Sequence, residues 1–217
     1  MFIKICGMTN ADDALLAAGL GADAVGFIFA PSPRQVTPGR VRSIIERLPG
    51  SVLTVGVFRN EAKERVVDIT NRTGIRAVQL HGNESPEETQ WINERVPSVI
   101  RAVPAGSRAM VEHEAFGKVR FLIDAAQPGS GETFDWDILR QNRIDRDFIL
   151  AGGLNPDNVV EAIQTVRPWG IDVASGVEKR PGIKDATKVN HFIVNARSVE
   201  EHHVNHALAD PWDEPVV

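Results

Sequence analysis

Short apolar runs alternate along this chain with longer amphipathic stretches of mixed apolar and charged residues. Runs that are apolar throughout and rich in β-branched residues are typical of parallel strands buried on both faces. Strands that alternate with helices indicate repeated β/α units, so the pattern predicts an α/β protein. The runs lie near residues 2–6, 24–29, 52–57, 76–80, 98–103, 119–124, 147–151 and 170–174.

The starts of the helices between these runs are marked by capping residues. A residue with a capping side chain just before proline is typical of a helix N-terminus, and a capping box is a second signal. Gly19 or Gly21 and Gly74 are placed to end helices. The predicted starts are the pairs Thr37-Pro38, Ser85-Pro86 and Asn155-Pro156, and Thr9 with Asp12 as a candidate capping box.

Eight strands, each followed by a helix, can bury both faces of the sheet as a closed barrel or as an open doubly wound sheet. The number of units and the length of 217 residues favour the barrel. No linker rich in Pro, Gly or Ser divides the chain, so we expect a single-domain (β/α)8 TIM barrel over residues 1–197. Residues 198–217 are polar, fall outside the repeat and form a C-terminal tail of unknown role.

Composition and charge exclude several classes of protein. The formal net charge is −5 and no basic block occurs, which argues against nucleic-acid binding. No apolar run approaches the roughly 20 residues that span a bilayer, so no membrane role is expected. Cys6 is the single cysteine and the first residues lack signal-peptide features, which predicts a cytoplasmic protein. The histidines form no ligand set and no nucleotide-binding motif is present, so neither a metal nor an organic cofactor is expected.

Three polar residues fall at the carboxyl ends of predicted strands or just after them, where barrels carry their active sites. Cys6 ends the first run and Asp124 the sixth, and Arg34 follows the second. A thiol can act as a base where positive charge lowers its pKa, and a carboxyl group can donate a proton where burial favours its neutral form. A guanidinium can bind a carboxylate through two parallel hydrogen bonds. Each also has an inert alternative: a buried structural cysteine, a loop aspartate and a solvated surface arginine.

Two glycine-containing loops follow the last two strands. Gly152 and Gly153 come after the seventh run, and Ser175 and Gly176 after the eighth. Loops in these positions expose backbone N–H groups and form the usual phosphate site of such barrels, although one Gly-Gly pair alone would indicate only a tight turn. We therefore expect a phosphate here. Supporting roles are predicted for Gln79, His81 and Asp172, with a structural histidine as the alternative for His81.

Six segments occur in order over about nine-tenths of the chain: KICGMT at 4–9, SPRQV after strand two, VQLHG at 78–82, IDA with SGETFDW between 123 and 136, LAGGLNPDNV at 150–159 and DVASGVEKRPGIKD at 172–185. Together they resemble the phosphoribosylanthranilate isomerase family. The resemblance implies an Amadori rearrangement of N-(5-phosphoribosyl)anthranilate to 1-(2-carboxyphenylamino)-1-deoxyribulose 5-phosphate in tryptophan biosynthesis, without a cofactor or metal. It also implies that Cys6 is the general base, that Asp124 is the general acid and that Arg34 binds the anthranilate carboxylate.

Two alternative functions stay open beside this one. The first is a bifunctional isomerase that also acts on the aminoaldose phosphate of histidine biosynthesis. The sugar isomerases of that kind resemble a pattern with aspartate at the position of Cys6, so Cys6 counts against this alternative. A non-catalytic barrel scaffold would be expected to lack Cys6, Asp124 or Arg34, and all three are present. The expected partner is a small phosphosugar, bound by a monomer or homodimer. The departures from the family pattern are Gln35, where an aromatic residue is common, and QPGSGET in the sixth loop.

Overall fold

The apolar runs form a closed parallel barrel. The structure, a computed structural model, describes residues 1–125, 136–141 and 147–200. Within these ranges eight strands pair in chain order, and the first pairs with the eighth. The predicted (β/α)8 barrel is therefore confirmed. The strands are β1 (Phe2–Ile5), β2 (Ala24–Ile28), β3 (Leu53–Phe58), β4 (Ala77–Leu80), β5 (Val99–Pro104), β6 (Arg120–Asp124), β7 (Phe148–Leu150) and β8 (Gly170–Val173).

Helices follow the strands around the outside of the barrel. A hairpin of β9 (Glu178–Arg180) and β10 (Ile183–Lys184) interrupts the connection from β8 to the last helix. Among the described residues, no helix is both long enough and apolar enough to cross a membrane. The helices are α1 (Ala11–Gly19), α2 (Pro38–Ile45), α3 (Lys63–Thr73), α4 (Pro86–Asn93), α5 (Arg108–Val111), α6 (Asp137–Gln141), α7 (Val159–Val166) and α8 (Ala186–Glu200), with 3-10 turns at His113–Phe116 and Ser175–Val177.

Two of the four predicted helix starts are confirmed. Thr37 caps α2, and Ser85 caps α4 in a complete capping box with Glu88. The predicted capping box of Thr9 is wrong, because Asn10 caps α1 while the Thr9 hydroxyl donates to the backbone of Gly182.

The predicted helix start at Asn155 is also wrong. The Asn155 side-chain oxygen accepts the backbone N–H groups of Asp157 and Asn158, at 2.8 and 3.2 Å, which turns the chain before the helix. Helix α7 then begins at Val159. The C-terminal boundaries are as expected: Gly21 follows the end of α1, and Gly74 ends α3 in the left-handed conformation.

The barrel interior is apolar at one end and polar at the other. Alternation along β1 directs Ile3 and Ile5 outward toward the helices, whereas Phe2, Lys4 and Cys6 point inward. The inward apolar layer includes Phe2, Ala24, Leu53, Ala77, Ile100, Leu122 and Ile149, and Trp169 stacks on Phe2 beneath it. Polar side chains therefore gather toward the carboxyl ends of the strands, which is the functional face of this fold.

Candidate active site

The sequence-predicted site residues all lie at the carboxyl-terminal mouth of the barrel or in its interior below the mouth. Cys6 follows β1, and Asp124 ends β6, three strands away around the barrel and so nearly opposite. The loops after β7 and β8 stand between them on one side, and the loop after β2 carries Arg34 beyond Cys6 on the other side. This layout gives the mouth a thiol, a carboxyl group, a guanidinium and two glycine loops.

Cys6 is buried, with 5% of its surface exposed. Its Sγ atom lies against Gly26 of β2, where a Cβ atom would come within 2.7 Å of the sulfur. Burial raises the pKa of the Cys6 thiol, and the negative charge of Asp172 adds to this, while the ammonium groups of Lys4 and Lys184 oppose it. The positive charge that the sequence analysis required of a thiol base is present. The pKa of the thiol is nevertheless raised, because the effect of burial is larger than that of the two ammonium groups.

Lys4 and Asp172 form a buried ion pair beneath Cys6. They lie opposite each other in the register of β1 and β8, and the Lys4 Nζ atom is 2.8 Å from Asp172 Oδ1. Burial acts to lower the pKa of Lys4, but the charge of Asp172 and the neighbouring thiol raise it above its usual value. Lys4 is therefore held as an ammonium ion.

Arg34 is bound along one edge by Glu178, the first residue of β9. Its Nε and Nη2 atoms each donate to a Glu178 carboxylate oxygen at 2.8 Å. Lys184 also donates to Glu178, at 3.1 Å. Burial acts to raise the pKa of Glu178, but these two cations lower it below its usual value. No described residue takes up Nη1, so one edge of the guanidinium can still bind an anion.

The aliphatic part of Arg34 packs over Gly7. A Cβ atom at Gly7 would lie 2.7 Å from Arg34 Cδ, and Gly7 has a positive φ of 80°. A side chain there would be both strained and in collision with the arginine. The missing side chain therefore lets Arg34 lie beside the residue that follows Cys6.

Asp124 is held by its own loop and by His81. One carboxylate oxygen accepts the backbone N–H of Ala125 at 2.7 Å. The other lies 3.2 Å from His81 Nε2, close enough for an ion pair but without hydrogen-bond alignment, and Nε2 has no better partner in the described part of the chain. Gln79 Nε2 lies 3.0 Å from His81 Nδ1. If the Gln79 amide donates there, the ring proton is on Nε2, directed at Asp124.

The loop that carries His81 is fixed by a buried ion pair. Arg101 on β5 lies 3.1 Å from Glu84 and donates to the backbone oxygens of Leu80 and Gly82. Glu84 in turn accepts the backbone N–H groups of Asn60 and Gly82, at 2.8 and 2.9 Å. The loops after β3 and β4 are thereby tied to β5.

The two glycine loops present backbone N–H groups toward the mouth of the barrel. Gly152 and Gly153 have φ values of 88° and 65°. A Cβ atom at Gly152 would lie 3.0 Å from Asp124 Oδ1, and one at Gly176 would collide with the backbone oxygen of Leu154, so the two loops and the carboxylate pack closely. Within the described ranges, no residue accepts a hydrogen bond from the N–H of Gly152, Gly153, Ser175 or Gly176.

Sequence reasoning missed three charged residues of this site. Lys4 interrupts an otherwise apolar strand. The alternation along β1 places it at an inward position, and this signal could have identified it. Glu178 and Lys184 lie within the last quoted segment, but nothing local indicates that they contact Arg34. The sixth-loop segment QPGSGET lies outside the described residues, so its departure stays a prediction. In the described residues no group of three or more His, Cys, Asp or Glu side chains could hold a metal ion.

Comparison with known proteins gives one consistent family. Residues 3–195 match the sequence profile described as N-(5'phosphoribosyl)anthranilate (PRA) isomerase. The N-(5'-phosphoribosyl)anthranilate isomerase of Desulforudis audaxviator is 44% identical over 199 residues, which cover 90% of this chain and 97% of the relative. That of Geobacter sulfurreducens is 44% identical over 200 residues, covering 90% and 98%.

Solved structures of such enzymes superpose on the barrel. The phosphoribosyl anthranilate isomerase of Thermus thermophilus has a TM-score of 0.86 and 38% identity, covering 92% of this chain and all of that one. A second one, in complex with reduced 1-(o-carboxyphenylamino)-1-deoxyribulose 5-phosphate, has a TM-score of 0.83 and 42% identity, covering 91% and 99%.

Proposed function

Because this chain belongs to the N-(5'-phosphoribosyl)anthranilate isomerase family, we propose that Cys6 and Asp124 are the base and the acid of its reaction. The reaction is the Amadori rearrangement of N-(5-phosphoribosyl)anthranilate to 1-(2-carboxyphenylamino)-1-deoxyribulose 5-phosphate in tryptophan biosynthesis. The observation that carries the assignment of roles is the placement of the two side chains. They stand nearly opposite each other across the mouth, and between them lie the glycine loops, whose N–H groups have no acceptor in the described part of the chain.

The first step opens the furanose ring. Asp124, in its protonated form, gives its proton to the ring oxygen, and the bond from that oxygen to C1 breaks with its electron pair going to the oxygen. The anthranilate nitrogen supplies electrons to C1 and becomes an iminium cation. General acid catalysis of this kind contributes about 10²–10⁴ in rate. His81 Nε2, 3.2 Å from this carboxylate, lies beside the charge left after proton transfer.

The second step is proton removal at C2. The Cys6 thiolate takes this proton, and the electron pair of the C–H bond forms a C1–C2 double bond while the iminium nitrogen becomes neutral. The enolamine then gains a proton at C1 and loses the one on its C2 oxygen, which yields the ketone. Because the pKa of the thiol is raised in the free protein, the iminium cation has a further role. Its positive charge favours the thiolate at the stage where the base is needed.

The two ends of the substrate are bound by separate groups. The free edge of Arg34 is suited to the anthranilate carboxylate, since Glu178 occupies only the other edge. The phosphate is suited to the loops of Gly152, Gly153, Ser175 and Gly176, whose N–H groups are unpaired among the described residues. With both ends bound, the ribose spans the mouth between Cys6 and Asp124.

The test uses the loss of anthranilate fluorescence as phosphoribosylanthranilate, made in situ, is converted. Wild type, Cys6→Ser and Asp124→Asn are compared, with Asp68→Asn as the matched control because Asp68 is an exposed carboxylate on α3. We expect rapid turnover by wild type and the control, and a loss of at least about 10²-fold in kcat for the other two variants. Full activity in either variant would remove that residue from the mechanism. An inactive wild type would favour the scaffold interpretation.

We also propose several properties that concern the protein as a whole. A net charge of −5 without a basic block supports a protein that binds no nucleic acid, and the single cysteine supports a cytoplasmic location. A monomer or homodimer is proposed, and light scattering distinguishes the two. Division of the chain into a barrel over 1–197 and a tail over 198–217 also stays a prediction. Residues 201–217 lie outside the described ranges.

A further inference from the structure

The buried ion pair of Lys4 and Asp172 is not explained by stability. The two side chains are 0% and 9% exposed, and the charged atoms are 2.8 Å apart. Removing both charges from water costs about as much as their attraction returns, and apolar side chains of similar volume often stabilise a protein more. The pair therefore has to be understood from what it touches.

The pair lies next to the thiol of Cys6, and the charges of both its members act on that thiol. Lys4 lies on β1 and Cys6 directly follows that strand, two residues further on, so both side chains point into the barrel. The Lys4 ammonium, besides its bond to Asp172, lies close enough to the thiol for the charges of the two groups to act on each other. The proposed base thus has a cation directly below it that solvent does not reach.

The other charged groups that act on Cys6 come from three neighbouring segments. They are Asp172 on β8, Lys184 on β10 and Arg34 in the loop after β2. Glu178 pairs with both Lys184 and Arg34. Three cations and two carboxylates leave one positive charge, so a single thiolate makes the cluster neutral. Without Lys4, ionisation of the thiol would leave the cluster with a net negative charge in a buried place.

We propose that Lys4 is a positioning residue for the Cys6 base: its buried ammonium, held by Asp172, stabilises the thiolate that removes the substrate proton. The role of the thiolate as base rests on the function proposed above, but the electrostatic interaction between ammonium and thiol does not require the substrate. Asp172 keeps Lys4 charged and in place. It also repels the thiolate, so Lys4 is the member of the pair that favours ionisation.

The test is a titration of the thiol in the absence of substrate. Cys6 is the only cysteine of the chain, so thiolate absorbance and the rate of alkylation by iodoacetamide report this residue alone. In Lys4→Met we expect the midpoint to rise by at least about one pH unit, which lowers the thiolate fraction at neutral pH about tenfold. Lys179→Met is the matched control, because Lys179 is exposed on β9, and its midpoint is expected to equal that of wild type.

A second variant covers the case in which Lys4→Met leaves Asp172 unpaired and the chain does not fold. Lys4→Met/Asp172→Asn removes both buried charges, and its thiol midpoint is expected to lie above wild type but below the single variant. In both variants the acidic limb of the profile of kcat/KM against pH, which reports the free enzyme, should move with the midpoint. A thiol midpoint at or below wild type in the folded variants would overturn the proposal. So would a lower kcat with an unmoved pH profile, since that describes a purely structural lysine. If wild type failed to turn over the substrate, the titration would still show whether Lys4 stabilises the thiolate.

Discussion

Gly26 is the position at which the smallest change should disturb the proposed base. It lies on β2 with its α-carbon facing Cys6, and a Cβ atom there would be 2.7 Å from the sulfur and 3.2 Å from the Cys6 α-carbon. The thiol cannot simply rotate away, because its backbone is also too close. The backbone is fixed as well: Gly7 and Met8 both donate to the Gly26 carbonyl at 2.9 Å, and Cys6 donates to Val173 at 2.8 Å.

The size of the effect of Gly26→Ala follows from these distances. Ordinary contact requires about 3.5–4.0 Å between heavy atoms, so the sulfur has to move by roughly 1 Å. A catalytic group misplaced by about 1 Å costs about 10²-fold in rate. Overpacking of a buried site costs about 1–3 kcal/mol of stability. We therefore expect a folded variant whose kcat is about a hundredfold lower.

The assay is again the loss of anthranilate fluorescence, with thermal unfolding measured on the same samples. Gly19→Ala is the matched control, because a Cβ atom at the end of α1 would meet nothing within 4 Å. It should leave kcat unchanged. If Gly26→Ala kept kcat within about threefold of wild type while the control did the same, then the position of the thiol would not matter. The assignment of Cys6 as base would have to be withdrawn.

Three further predictions concern groups around the mouth. Glu178→Gln should raise KM for phosphoribosylanthranilate about tenfold, since Arg34 loses a charged hydrogen bond of about 1.5 kcal/mol. With a substrate analogue that lacks the carboxylate, the KM values of the variant and wild type should not differ, and an equal rise in KM would show that Glu178 does not act through Arg34. Glu84→Gln should cost about 3 kcal/mol in urea unfolding, because Arg101 keeps a buried charge without its partner; a cost below about 1 kcal/mol would contradict this. The raised pKa of Cys6 stabilises the fold fully below the pKa of an unfolded thiol, and this stability is lost as pH rises through the folded value. Cys6→Ser should therefore flatten the alkaline side of stability against pH, and an unchanged slope would refute it.

The barrel could be predicted from the sequence because each strand is buried on both faces and so appears as a mainly apolar run. Thr37 and Ser85 were recognisable as helix starts because a capping side chain and a proline act locally. Thr9 and Asn10 are both capping residues, and only a distant contact decides between them, since Gly182 takes the Thr9 hydroxyl. The turn at Asn155 likewise depends on backbone geometry that residue types do not specify.

The site was predictable where its chemistry follows from position at a strand end, as for Cys6 and Asp124. It was not predictable where the partner lies far along the chain. Lys4 pairs with a residue 168 positions away, and Arg34 with one 144 positions away. A lysine in a strand is ordinarily expected to reach solvent. Lys4 does not reach solvent, because the interior of the barrel encloses its side chain.

The alternation along β1 means that the residues that pack against the helices and those that line the active site alternate in one short segment. Ile3 and Ile5 face the helices, and Lys4 and Cys6 face the interior. Losing a single residue from the strand would exchange the two sets, sending the isoleucines inward and the ammonium and thiol toward the helices. A length change in β1 therefore cannot spare the barrel and harm only the chemistry, or the reverse. Evolution can therefore change this strand by substitution, but an insertion or deletion within it would not be tolerated.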